Sequence, residues 1–231
     1  MSTPRFSGVF DFFRSMVIAF FLALVIKISA VEAYKIPSQS MEDTLLVGDF
    51  LLANKFIYGA QVPFTSWRLP AWRNPEPGDV VIFKYPVDLT TDYIKRCVAT
   101  EGQVVEIRDK VLYVDGEIFP NPEHSKFTSP HTFRQGPDRK RDNMRKYIVP
   151  KGYIYCMGDN RDNSSDSRFW GPVPLELVTG KAVIIHWSWE PDADEVKVRL
   201  DDLTTVPKFL GHFFVHFYER VRWSRLCTII E

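Results

Sequence analysis

Three short stretches of this chain carry side chains whose type and spacing suit chemistry: Ile36–Leu46 (IPSQSMEDTLL), Asp92–Arg96 (DYIKR) and Gly158–Pro174 (GDNRDNSSDSRFWGPVP). Ser38 and Ser40 stand two residues apart, so on an extended segment they face the same side, with Pro37 stiffening the approach. A serine becomes a nucleophile only where a base accepts its proton. The five histidines, His124, His131, His186, His212 and His216, sit in no GxSxG-type context, so a Ser-His-Asp triad has no support. A lysine serves as the base if it is neutral, and removal from water favours the neutral amine. Lys95 lies in the apolar company of Tyr93, Ile94, Cys97 and Val98, with Arg96 directed to the opposite face. Without further information, a polar linker at 38–40 and a solvent-facing Lys95 on an alternating strand describe the same residues equally. The third stretch is dense in Asn, Asp and Ser, which satisfy backbone groups in irregular loops, and Asp166 can pair with Arg168. Asp159, Asp162 and Asp166 lack the spacing of an EF-hand, and no metal is expected.

The elements that must position these residues read as strands. Asp49–Ile57, Asp79–Tyr85, Tyr93–Ala99, Tyr153–Met157 and Ala182–Trp189 are rich in branched and aromatic residues. Val104–Ile107, Val111–Val114 and Glu117–Phe119 form a meander, with Asp115-Gly116 as its second turn. The pattern predicts an all-β fold, a barrel or folded sheet. Residues 120–150 hold five prolines and the run Asp138-Arg139-Lys140-Arg141, predicted as an inserted lid with a solvated charged face. Phe209–Trp223 has a helix-compatible aromatic pattern. Cys97, Cys156 and Cys227 form no CxxC pair and are expected as buried small hydrophobes, with a Cys97–Cys156 bridge as the alternative.

The 231 residues suffice for one domain with a small appendage. Lys+Arg and Asp+Glu both number 29, and this balance excludes nucleic acid as the main partner, which needs a basic face. Met16–Ile26 is uninterrupted apolar, and a membrane span over residues 15–33 is feasible if Arg14 and Lys27 snorkel to opposite interfaces. A cleaved secretory signal and a retained anchor explain this segment equally well, and Arg5 and Arg14 favour a cytoplasmic N-terminus in both cases.

PSQSM, GDVVIFKYP, DYIKR and GDNRDNSSDSR, in this order after one N-terminal span, resemble the sequence boxes of the bacterial type I signal peptidases, and VRWSR resembles that family's usual terminus. The similarity runs from about Tyr34 to Trp189. The resemblance implies a Ser/Lys protease on a signal-peptidase-like β-fold: a cytoplasmic tail over 1–14, a single-pass anchor over 15–33 and a catalytic domain over 34–231 on the outer face of the cytoplasmic membrane. Its partners would be membrane lipid and signal-peptide-bearing preproteins emerging from the translocon, cleaved after Ala-x-Ala-type small residues without a cofactor. By the same resemblance Ser40 is the nucleophile and Lys95 the general base. Ser38 and the Ser40 N–H form the oxyanion hole, Ser164 orients Lys95, and Asp166 and Arg168 form a supporting ion pair. Ile36, Met41, Leu45, Tyr93 and Ile94 line the substrate pockets. The chain departs from the family at Asp43, where a proline often stands; this carboxylate is expected to face solvent, away from Lys95. A soluble Ser/Lys autoprotease would instead call for a DNA-binding domain and no span. A non-enzymatic membrane-anchored β-domain would not call for this serine–lysine pair.

Overall fold

The computed structural model describes residues 8, 10–20, 31–60, 67–136, 138–191 and 216–230. Among the described residues twelve strands dominate: β1 (Val31–Lys35), β2 (Asp49–Asn54), β3 (Val80–Tyr85), β4 (Asp88–Ala99), β5 (Val104–Arg108), β6 (Val111–Val114), β7 (Glu117–Ile118), β8 (Met144–Ile148), β9 (Tyr153–Met157), β10 (Val173–Pro174), β11 (Val178–Ser188) and β12 (Thr228–Ile229). The larger sheet runs β1-β2-β11-β3-β4-β9-β10, with β12 also pairing β11; the smaller runs β7-β6-β5-β8. Every pairing between these strands is antiparallel.

The apolar run of β3 is buried on both faces, which explains why it does not alternate with polar residues. Val80 and Ile82 join Ile36, Met41, Leu45, Leu51 and Ile185 on one side, and Val81 and Phe83 join Cys97, Cys156 and Val178 on the other. A third cluster, including Val98, Tyr155, Val105, Ile107 and Leu112, sits between the two sheets. The meander stands as predicted, and its second turn places both Asp115 and Gly116 at positive φ, the geometry of a two-residue hairpin. Strand β4 is the pivot. Its first half, from Asp88 to Asp92, is exposed, and its second half plunges between layers, so Lys95 retains only 4% of its accessible surface.

Several expectations need correction. Residues 10–20 are helical, whereas most of the expected anchor, residues 21–30, lies outside the described residues. Its last three positions, Val31–Ala33, belong to β1, paired with β2, so the sheet begins before residue 34. Among the described residues no helix is long and apolar enough to cross a membrane. The 120–150 segment is not merely a loop, because it supplies β8 and the short helix Arg139–Asp142. Its charged run is not wholly solvated either: Arg141 turns inward to bond Asp142, whose carboxylate also accepts from Phe133 N. Of the Phe209–Trp223 stretch, residues 216–220 are helical and 209–215 lie outside the described residues. Cys97 and Cys156 face each other across β4 and β9, buried and unbridged, but Cys227 is exposed.

Candidate active site

Ser40 sits in a turn closed at its base by the sheet. Ile36 N donates to Asp49 O and Gly48 N donates to Ile36 O, so residues 36–49 leave and re-enter the fold at one point. Within it Ser38 is extended at φ −132°, and Gln39–Met41 form one turn of 3-10 helix. Met41 and Leu45 anchor this turn in the core, fixing the polar side of the turn outward. Gly48 has φ +92°, and a Cβ there would collide with Trp189 O, so only glycine closes the turn.

Strand β4 brings Lys95 to this turn. Lys95 Nζ lies 2.7 Å from Ser40 Oγ and donates to Ile94 O at 2.8 Å. The ring of Tyr93 stands 5.1 Å from the same nitrogen. Burial lowers the Lys95 pKa from its ordinary 10.5 to about 8, against the smaller opposing pull of Asp166, Cys156 and Asp159. Ser38 Oγ is 3.4 Å from Ser40 Oγ, so both hydroxyls open on the same side, although Ser40 stands in the 3-10 turn and not on the expected extended segment. No described histidine lines the cleft.

The polar loop 158–168 holds the pair from behind. Asp166 and Arg168, both buried, form a bidentate ion pair, and Gly158 N donates to the same carboxylate. Burial alone would push the Asp166 carboxyl up, but Arg168 and these hydrogen bonds outweigh it and hold the group below the ordinary range. Ser164 is buried here and helps hold the Asp166 carboxyl low, whereas Lys95 Nζ is engaged by Ser40 and Ile94. The expected Ser164–Lys95 hydrogen bond is therefore absent from this arrangement. What Ser164 does instead is crowd Gly158: a Cβ on that glycine would meet Ser164 Oγ and Ser40 O at once.

Several residues escaped the sequence reading. Arg96 does point away from Lys95, but inward, where it grips Asp159 bidentately. Asp159 accepts from Thr44 Oγ1, while Asn160 N donates to Ser40 O and Asn160 Nδ2 to Gln39 O. Gly158-Asp159-Asn160 thus clamps the serine turn across more than a hundred residues of sequence. Asp162 is engaged by Lys110 and by Ser129 N, so the three loop aspartates serve three different partners, and no group of metal ligands forms among the described residues. The GDN tripeptide was visible in the sequence; its partners were not, because each lies in a remote segment. Asp43 is exposed at φ +75°, a backbone no proline adopts, and it faces Lys126 rather than Lys95.

A cleft of about 450 Å³ opens in front of Ser40. Ile36, Met41, Tyr93 and Ile94 line it together with Ser38, Ser40 and Lys95. Leu45 does not: it is wholly buried in the core beneath the turn, a correction to its expected place in a pocket.

Residues 9–187 match the family described as signal peptidase, peptidase S26. The chain belongs to this signal peptidase family. It is 35% identical to a signal peptidase I of Pseudomonas aeruginosa, with 79% of this chain and 73% of the relative covered. It is 32% identical to a signal peptidase I of Aquifex aeolicus, covering 76% of this chain and 84% of that one. A thylakoidal processing peptidase of Arabidopsis thaliana is 34% identical over 72% of this chain and 45% of its own. The protein is thus a signal peptidase, an enzyme that removes signal peptides from preproteins, and its mostly β architecture carries the serine–lysine pair described above.

Proposed function

We propose that Ser40 is the nucleophile and Lys95 its general base. The observation that carries this reading is the 2.7 Å contact between Ser40 Oγ and a lysine that burial holds at a pKa of about 8. Neutral Lys95 takes the Ser40 proton as Oγ attacks the scissile carbonyl carbon, and the carbonyl electron pair moves onto oxygen. The Ser38 hydroxyl and the Ser40 N–H receive that oxyanion. Collapse breaks the C–N bond, the Lys95 ammonium gives its proton to the leaving amine, and an acyl ester remains on Ser40. Lys95, neutral again, deprotonates the water that hydrolyses the ester.

The two walls of the cleft, 34–38 and 91–95, are extended chain, which suits an extended peptide laid between them. Ile36, Met41, Tyr93 and Ile94 shape pockets for small residues at −1 and −3, acting by exclusion. Exclusion is the stronger device, because one methylene of favourable contact discriminates by only ~1–3 kcal/mol. Asp166 and Arg168 hold the loop behind Lys95, and Ser164 packs against Gly158 to set the depth of that loop.

We further propose that residues 1–14 are a cytoplasmic tail, that the apolar segment from residue 15 to about 30 is a single-pass anchor, and that the remainder works on the outer face of the bacterial cytoplasmic membrane. The apolar run at 16–26 with Arg5 and Arg14 before it supports this. Tethering places Ser40 shortly beyond the bilayer, where preproteins emerge from the translocon among membrane lipids, and raises the effective concentration of substrate. Cleavage of a preprotein in detergent by wild type, Ser40→Ala and Lys95→Ala tests the chemistry; an active Ser40→Ala enzyme would overturn it. Protease added outside spheroplasts tests the topology, which is wrong if the domain beyond Tyr34 is protected.

A further inference from the structure

The C-terminal VRWSR segment is not part of the cleft, yet its two arginines end on the turn that carries Ser40. Arg225 Nη2 donates to Thr44 O at 2.9 Å and to Asp49 Oδ2 at 2.6 Å, and Arg225 Nε lies 3.2 Å from both Asp49 oxygens. Arg222 Nη1 donates to Val47 O at 3.0 Å. Asp49 itself is fully buried, and it also accepts from Leu46 N and Ser188 Oγ. The arginines are held in turn by the sheet. Arg222 N donates to Ser188 O, Cys227 N to Ile185 O and Ile230 N to Val183 O, with Ile230 buried in the core beside Met41 and Leu45.

We propose that Arg225, seconded by Arg222, is a positioning residue for the nucleophile: the C-terminal segment is a strap that fixes the far limb of the 36–49 turn, together with the Asp159–Thr44 hydrogen bond, as Asn160 fixes its near limb. Three carbonyl or carboxylate sites on one short limb, Thr44 O, Val47 O and Asp49, are engaged by guanidinium groups from a segment some 175 residues later in the chain. The turn's own hydrogen bonds, such as Glu42 N to Gln39 O and Asp49 N to Leu46 O, set its shape, but its position against the rest of the fold depends on contacts from outside it. The planar fork of arginine makes such contacts to a carbonyl and a carboxylate at once in a fixed relative geometry, which the rotatable ammonium of a lysine does not impose. Leu45 N donates to Met41 O, so displacement of the Thr44–Asp49 limb is passed to Met41 and hence to Ser40.

The inference rests on Ser40 being the nucleophile. The test uses the full chain in detergent, with steady-state cleavage of a preprotein by wild type, Ser40→Ala, Arg225→Gln, Arg225→Lys and Arg222→Gln. Rates are divided by the folded fraction found from near-ultraviolet circular dichroism at the assay temperature. A misplacement of about 1 Å lowers a rate by up to about 100-fold. Arg225→Gln is therefore expected to lose about 10-fold to 100-fold in kcat per folded molecule, with KM and the pH midpoint of the rate unchanged. Arg225→Lys is expected to recover part of the loss, and Arg222→Gln to lose less in the same direction. If Arg225→Gln does not fold, Arg222→Gln decides by the same criterion. Unchanged kcat per folded molecule, with Ser40→Ala inactive, overturns the strap alone and leaves the arginines a purely stabilising role. An active Ser40→Ala enzyme overturns the site assignment itself.

Discussion

The proton balance of Lys95 is open to a quantitative test. At its ordinary pKa of 10.5 a lysine is about 0.03% neutral at pH 7, whereas at about 8 roughly one-tenth of it is neutral. Burial therefore raises the population of competent base about 300-fold, equivalent to about 3 kcal/mol at ~1.4 kcal/mol per pKa unit. If Lys95 is the base, kcat/KM should climb about tenfold per pH unit below pH 8 and level off above it, because that profile reports the free enzyme. The same shift has a price in stability. Between pH 8 and 10.5 the unfolded chain binds a proton at this lysine that the folded chain does not, so stability rises with pH across that window, and the full penalty applies below pH 8. Lys95→Met should thus be inactive yet more stable than wild type at pH 7 by up to about 3 kcal/mol, the gain fading as pH approaches 10.5. Lys95→Arg should be inactive at every pH assayed, since guanidinium does not deprotonate there. The measurements are a kcat/KM profile from pH 6 to 10 and denaturant melts of the methionine variant at pH 7 and above 10. A profile still climbing tenfold per pH unit up to pH 10, or an active Lys95→Arg enzyme, would refute the assignment of Lys95 as a base made neutral by burial.

Gly158→Ala should fold but lose activity, because its Cβ would press on both Ser164 and Ser40 O; cleavage assays beside far-ultraviolet spectra check this, and a fully active variant would show that the loop can retreat. Ile94→Ala should widen the cleft and admit larger −1 or −3 residues, whereas Leu45→Ala should cost ~2–5 kcal/mol of stability with unchanged specificity, since Leu45 is core and not pocket. A substrate panel and melting curves separate the two. Asp166→Ala leaves the buried Arg168 unpaired and should lower stability by ~3–5 kcal/mol; a variant that melts like wild type but has no activity would give Asp166 a closer part in the chemistry.

The sequence by itself determined the elements and the chemical vocabulary. Local rules suffice for the meander, since Asp115-Gly116 favours positive φ whatever surrounds it. They suffice as well for the pairing of Asp166 with Arg168, whereas Ser38 and Ser40 meet although Ser40 lies in a 3-10 turn and not on the extended segment that the two-residue rule assumes. Tertiary structure decided everything that depends on burial or on remote partners. An alternating or apolar pattern marks Lys95 as bury-able, but only the passage of β4 between layers takes it out of water and brings it to Ser40. Met41 and Leu45 are chemically alike, four residues apart and both buried in one core cluster, and only the path of the turn brings Met41 to the cleft wall as well. The clamps by Arg96–Asp159, Asn160 and Arg225 join segments from 63 to 181 residues apart, and no local rule links such segments. Conformational preference acts over a few residues, whereas desolvation and hydrogen-bond geometry depend on which surfaces the whole fold brings together.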